Sequence, residues 1–158
     1  MKDKEYIVGN VLGNYPNLIH SDLHGRKFTH TSEFGGVNIF VREGKLPECD
    51  GRIDVAWITE TVIHLAELKR SDITTDALEQ FRRYRGPMQQ RYPCHEIQGY
   101  LVGYSCKSLE ALRDSIGDEP IRILRLGIEI PMPGEVVACP NCGAGLRWDK
   151  PVCPFCKR

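Results

Sequence analysis

Three residues on one short stretch carry the chemistry: Asp54, Glu67 and Lys69, within GRIDVAWITETVIHLAELKR, Gly51 to Arg70. Arg52 to Thr59 and Val62 to Lys69 are β-rich runs separated only by Glu60-Thr61, which predicts a hairpin. Side chains on a strand alternate faces, so Glu67 and Lys69 project to one side. Folding the hairpin about its midpoint sets Thr59 against Val62, Ile58 against Ile63 and, further along, Asp54 against Glu67. Directly opposed residues have Cβ atoms about 4.5–5.5 Å apart, and like charges placed so are destabilising. Two carboxylates with a lysine beside them therefore call for a cation. A hard divalent ion, Mg²⁺ or Mn²⁺, prefers carboxylate and carbonyl oxygens, and the Leu68 carbonyl adds one more. Two readings stay open. Glu60-Thr61 lacks the Gly or Asn favoured in tight turns, and a three-residue loop would send Asp54 to the opposite face. The three polar residues would also suit a solvated strand face with surface ion pairs. Their neighbours Ile53, Val55, Ile63 and Leu65 are instead those of a buried sheet, where charges are uncommon without a role.

An Asp, then a hydrophobic strand ending in Glu-x-Lys, resembles the PD-(D/E)xK nuclease superfamily. Downstream, Gln80-Phe81-Arg82-Arg83-Tyr84 is similar to the Gln-x-x-x-Tyr element of its RecB-like branch and of NucS-like DNA endonucleases. The resemblance covers roughly Gly35 to Tyr104, and departs from the pattern in having Ile53 rather than Pro before Asp54. It implies an α/β, restriction-endonuclease-like mixed sheet flanked by helices. It implies Asp54 and Glu67 as ligands of Mg²⁺ or Mn²⁺, and Lys69 as the group that orients the attacking water and stabilises charge on the phosphate. Gln80 and Tyr84, four apart and so on one helical face, would border the active site; ordinary helix packing is their other reading. Many relatives add a Glu or His from the first helix, which makes Glu33 and His30 further candidate metal ligands, with His24 behind them. The activity implied is metal-dependent hydrolysis of DNA phosphodiester bonds in repair, recombination or defence. A non-catalytic nucleic-acid-binding or scaffold protein on the same fold, and an RNA-processing nuclease, are the alternatives. Many relatives pair up, so a homodimer is a further expectation.

The tail holds a second constellation. Cys139-Pro-Asn-Cys142 and Cys153-Pro-Phe-Cys156 are two C-x-x-C pairs with ten residues between them. Four thiolates suit tetrahedral Zn²⁺, and a two-residue spacing lets a tight turn present both sulfurs. So small a segment cannot bury its own core, and the metal would supply its folding energy. A short structural zinc ribbon is expected; two redox motifs or an iron–sulfur site are less suited, because no thioredoxin-like strand–helix context surrounds the pairs. Arg147, Lys150, Lys157 and Arg158 make the tail basic, fit to hold nucleic acid or a partner protein. Cys49, Cys94 and Cys106 are isolated and read as structural.

These groups need elements to position them. Strand-like runs cover residues 37–41, 52–59, 62–69, 97–104 and 121–130, with helices at 76–85 and 109–116. Asp76 with Glu79 suggests a capped start to the first helix, and Gly86-Pro87 a stop. Some helix is expected in the polar first 34 residues. This order predicts a mixed sheet flanked by helices. Pro131, Pro133 and Gly134 read as a stiff linker. The expected division is residues 1–130 as the nuclease-like domain, 131–138 as the linker and 139–158 as the ribbon. Twenty-one basic residues balance twenty-one acidic ones, so no global field announces nucleic acid. Local clustering must do so, and Arg70, Arg82, Arg83, Arg85 and Arg91 gather on and around the helix after the Glu-x-Lys strand; a solvated helix face is the plainer reading. No run approaches about 18 apolar residues and the N-terminus lacks a signal-peptide core, so a cytoplasmic protein with no membrane segment is expected. Seven cysteines in a reducing compartment are more readily metal ligands or buried thiols than disulfides.

Overall fold

A computed structural model of the chain describes residues 9, 11–49, 51–69, 72–125, 136–138, 145–147 and 156. Residues 27–128 form one compact unit. It is built on a six-stranded mixed sheet in sequence order: β1 (Thr29–Thr31), β2 (Ile39–Lys45), β3 (Arg52–Ile58), β4 (Val62–Leu68), β5 (Glu96–Gly103) and β6 (Ile121–Arg125). The β2–β3 and β3–β4 pairs are antiparallel, while β1–β2, β4–β5 and β5–β6 are parallel. Two helices, α1 (Thr75–Arg91) and α2 (Leu109–Ile116), fill the β4–β5 and β5–β6 crossovers. This is the restriction-endonuclease-like α/β architecture that the alternation of strands and helices implied.

The central strands are buried on both faces, which is why β4 reads as a nearly continuous apolar run. One face of the sheet packs on α1: Ile58, Ile63, Leu65, Ile97 and Leu101 meet Leu78, Phe81 and Met88 in a single core cluster. The helix comes close because β5 carries Gly99 beneath it. A Cβ built there would lie 2.4 Å from Phe81 Cζ. The other face carries Phe40, Trp57, His64 and Tyr100, with the His64 Nδ1 and Tyr100 hydroxyl 2.7 Å apart.

The β3–β4 turn closes without Gly or Asn. The Thr59 hydroxyl accepts the Val62 amide at 3.0 Å and donates to the Val62 carbonyl at 3.0 Å. The Thr59 amide donates to the same carbonyl at 2.9 Å. One side chain thus supplies what a special backbone conformation would have supplied, and the two-residue connection holds.

Helix α1 corrects the expected stop at Gly86-Pro87, since it runs on to Arg91 with Pro87 inside it. An interior proline costs about 3 kcal/mol. Burial offsets that cost: Met88 is 0 % and Tyr92 7 % exposed, and the Tyr92 amide closes the helix on the Met88 carbonyl at 2.9 Å. The helix start also differs. Thr74 is the N-cap residue without a side-chain cap bond, and Asp76 lies in the first turn, where a carboxylate favours the helix dipole.

The second compact grouping joins residues 1–26 with 129–158. Its described part has two short 3₁₀ turns, Pro16–Leu18 and Ser21–Leu23, after helical residues 11–14. Tyr15 packs with Val11 and Cys156. Strands β7 (Val136–Ala138) and β8 (Gly145–Arg147) pair antiparallel, so the last residues of the expected linker are strand. Among the described residues, no helix is long and apolar enough to cross a membrane.

Two glycines of the α1–β5 packing predict opposite outcomes. Gly99→Ala drives a methyl into the buried Phe81 ring and is expected to cost about 1–3 kcal/mol. Gly86→Ala, where an added Cβ meets nothing within 4 Å, is expected to add up to about 1 kcal/mol of helix stability. Chemical denaturation of both variants checks the pair; equal effects would contradict the packing described.

Candidate active site

The β3–β4 register decides which polar side chains meet. Val55 pairs with Ala66, Ala56 with Leu65, Trp57 with His64 and Ile58 with Ile63. One step further, the same register sets Asp54 across from Glu67. The contact is direct: the Leu68 amide donates to Asp54 Oδ2 at 2.7 Å. The Asp54 carboxylate therefore lies on the backbone of the residue that follows Glu67.

Glu67 shares its strand face with Ile63 and Leu65, the face covered by α1, and is only 7 % exposed. Lys69, two residues on, lies 3.6 Å from Glu67 Oε1 through its Nζ. The same ammonium donates to Gln80 Oε1 at 2.6 Å. Gln80 is one turn before Tyr84 on α1, so the helix that covers the sheet also steers the lysine. The Tyr84 hydroxyl completes the group. Burial pushes its pKa up, and the charges of Glu67 and then Asp54 push it further, against a smaller opposing effect from Arg83. One phenol thus senses both acids, and it stays protonated.

Local devices hold these groups in place. Gly51 adopts φ +90°, and a Cβ there would stand 2.8 Å from the Tyr84 hydroxyl oxygen. Only glycine permits both that conformation and that approach. After β4, the Lys69 amide donates to the Val102 carbonyl at 2.8 Å. Asp72 then accepts from the Ser105 hydroxyl at 3.0 Å and the Lys107 amide at 2.9 Å, tying the start of the crossover to the end of β5. Sequence reasoning noted Gly51 three residues before Asp54 but missed the turn-closing role of Thr59 and the tie made by Asp72, which needed its partner 33 residues away.

Asp54, Glu67, Lys69, Gln80 and Tyr84 are brought together. Other candidates lie elsewhere. His30 sits on β1 beside Phe40, with ring centroids 4.9 Å apart. The Phe40–Trp57–His64 register places that ring on the sheet face opposite Glu67. Burial, then the charge of Arg42, lowers its pKa. Glu33 is exposed after β1 and lines a separate cleft with Arg42 and Arg52. Of the expected phosphate-binding arginines, Arg82 and Arg85 are engaged within the unit. Arg82 donates to Glu119 and, at 2.7 Å, to the Ser115 carbonyl, and Arg85 donates to Glu119 at 3.0 Å. Hydrogen bonding from Arg82 foremost holds the Glu119 carboxyl below its ordinary pKa. These two side chains brace α1 against the α2–β6 connection while remaining exposed in part. Arg83 is exposed, and Arg70 lies outside the described residues.

The donor set fits a small hard cation. Asp54 and Glu67 supply carboxylate oxygens on adjoining strands, and Leu68 supplies a backbone carbonyl. Among the described residues no group of three His, Cys, Asp or Glu side chains forms a fuller cage. A magnesium-type ion does not need one, since it keeps several waters and commonly takes one or two carboxylates plus substrate phosphate. Of the tail cysteines, Cys139, Cys142 and Cys153 lie outside the described residues; Cys156 is half-buried beside Tyr15.

No family model matches the chain, and no curated protein matches it in sequence. Solved structures do share its fold. A repair endonuclease from Pyrococcus abyssi superposes with a TM-score of 0.56 at 21% identity, over 83% of this chain and 49% of that one. EndoMS in its dsDNA2 complex superposes with a TM-score of 0.57 at 21% identity, over 81% of this chain and 45% of that one. The chain spans about half the length of each. At this identity the likeness establishes the fold alone, which the β3–β4–α1–β5 arrangement of this chain builds from its own residues.

Proposed function

We propose that this chain is a divalent-metal-dependent nuclease that hydrolyses DNA phosphodiester bonds, acting in DNA repair. The observation that carries the reading is the convergence of Asp54, Glu67 and Lys69: one carboxylate on the Leu68 amide, the other 3.6 Å from the lysine. That the neighbours in fold are a repair endonuclease and an EndoMS–dsDNA complex supports DNA as substrate and internal cleavage as the mode.

In this reading Asp54, Glu67 and the Leu68 carbonyl hold Mg²⁺ or Mn²⁺. The ion, when bound, supplies Lewis acidity toward the phosphodiester and lowers the pKa of water. Asp54 is oriented by the Leu68 amide, and Glu67 by its burial under α1. Lys69 donates to a phosphate oxygen or to the attacking water, and so opposes the negative charge that grows on the pentacovalent phosphorus. Gln80 holds that ammonium at a fixed place beside Glu67. Tyr84 remains a neutral donor, because a phenolate between two carboxylates would be a third negative charge. It serves as a wall and hydrogen-bond donor, never as the base.

The tail reading is a structural zinc site formed by Cys139, Cys142, Cys153 and Cys156. Strands β7 and β8 end and restart on either side of Cys139 and Cys142, the arrangement in which a hairpin presents a C-x-x-C pair. Elemental analysis of the purified full chain is expected to find one zinc per chain, released when the thiols are modified. Absence of zinc with two disulfides in its place would overturn this reading.

Cleavage of duplex, single-stranded, flap and junction DNA, and of RNA, is to be compared with and without Mg²⁺ or Mn²⁺. DNA cutting that needs the ion is expected. Lys69→Ala is expected to lower the rate about 10²–10³-fold, as loss of one charge-stabilising donor does, while DNA affinity changes little. Gln80→Ala, which only frees the lysine, is expected to lose less. A native protein that binds DNA but cuts nothing would favour a scaffold. Preferential cutting of RNA would favour RNA processing. An undiminished Lys69→Ala would remove the lysine from the mechanism.

A further inference from the structure

The residues 27–128 contain a cleft of about 860 Å³ that the acid–lysine group does not use. Its cationic lining is Arg42, Lys45, Arg52 and Arg91; its acids are Glu33 and Glu43. Arg91 also lies 3.6 Å from Glu48. We infer that this cleft seats the phosphate backbone of a nucleic-acid strand beside the scissile position. The inference rests on the nuclease reading for its neighbour, and on three observations for itself.

The first is a like-charge pair. The β2–β3 register sets Lys45 directly across from Arg52, and both are exposed. Opposed like charges on neighbouring strands are destabilising. A sheet that keeps two cations there gains stability when an anion bridges them. The second is backbone shape. Glu43 holds a positive φ of 50° within β2, a conformation disfavoured for a residue with a side chain. The strand is distorted where Arg42 and Lys45 reach one cleft, although alternation alone would send them to opposite faces. Bulges and such distortions re-aim side chains next to functional sites.

The third is continuity with the acids. Cys49 and Arg52, on either side of Gly51 in the chain, both line the cleft. Gly51, whose backbone abuts the Tyr84 hydroxyl, directly precedes Arg52. The cleft therefore begins where the acid group ends. A polyanion is the ligand that this charge suits. A backbone with a phosphate at each nucleotide reaches the acids and the basic cleft together, which a single small anion does not. The arginines on α1 that sequence suggested for this task, Arg82 and Arg85, are held by Glu119. The cleft places further cationic charge at the β2–β3 edge.

The test reads binding of the full chain to labelled duplex and single-stranded DNA by fluorescence anisotropy, across a salt series and without added divalent ion. The Lys45→Gln/Arg52→Gln double variant is expected to bind about tenfold or more weakly near 0.1 M salt, with the log–log salt slope shallower by about 2. The charge-preserving swap, Lys45→Arg/Arg52→Lys, is expected to bind like the native chain, and thermal melts confirm that each variant folds. Arg113→Gln, an exposed charge on α2, is expected to leave the slope unchanged. An unaltered slope in the double variant, or an equal change in Arg113→Gln, overturns the cleft; if the native chain still cuts DNA, the nuclease reading stands without it. A native chain whose slope depends on Lys45 and Arg52 but which never cuts supports the cleft and removes the nuclease reading. A native chain that binds neither DNA overturns both.

Discussion

The hydrogen bond from the Leu68 amide to the Asp54 carboxylate is the contact on which the site depends. It joins a side chain of one strand to the backbone of its antiparallel neighbour, immediately beside Glu67. Slip the register by one residue and Asp54 turns to the opposite sheet face; break the bond and its carboxylate loses the anchor that holds it beside Glu67. Everything upstream serves that alignment. The Thr59 hydroxyl closes the turn, apolar residues on both faces of β3 and β4 pin the register, and Gly51 lets the chain enter β3 against Tyr84. A fold that exists for stability alone has no need to bring a second carboxylate toward a buried glutamate.

Electrostatics then explains why α1 lies where it does. Glu67 is almost fully covered, and a buried carboxylate is costly unless it is paired and hydrogen-bonded. Lys69 gives it one partner, and Gln80 fixes that partner from the helix. Asp54 lies beside it on the Leu68 amide, and both acids make the Tyr84 phenol harder to ionise. Two carboxylates on adjoining strands are the oxygen donors that a hard divalent ion takes. The β2–β3 edge shows a different pattern, with four cations set among Glu33, Glu43 and Glu48 and Lys45 directly across from Arg52. The two patches adjoin, as the cation-binding and phosphate-binding halves of one polyanion site would.

How much of this was legible beforehand follows from the range of each interaction. Asp54, Glu67 and Lys69 could be read because a hairpin with a two-residue connection fixes its own register, and the strand period does the rest. Gln80 and Tyr84 came from the resemblance of their segment to a Gln-x-x-x-Tyr element, and helical spacing put them on one face. Long-range pairings could not be read. Nothing near Arg82 or Arg85 signals Glu119, which is 37 and 34 residues away. The length of α1 was hidden for a different reason: Pro87 is a local stop signal that tertiary burial of Met88 and Tyr92 overrides. His30 was a reasonable ligand by type. Its parallel pairing to Phe40, on a three-residue strand of Thr-His-Thr, is a tertiary fact that puts it on the wrong side of the sheet. The basic cleft was invisible because the strand-like run read from the sequence stops at residue 41, whereas β2 continues to Lys45 and there meets Arg52.

The most direct test of the account is a crystal of the full chain soaked in Mn²⁺, with the ion located by its anomalous scattering. The account places one peak between the carboxylates of Asp54 and Glu67, close to the coordination distance of about 2.1 Å typical of Mg²⁺ sites, and absent in the Asp54→Asn protein. No peak there, or an unchanged peak after that substitution, would contradict it.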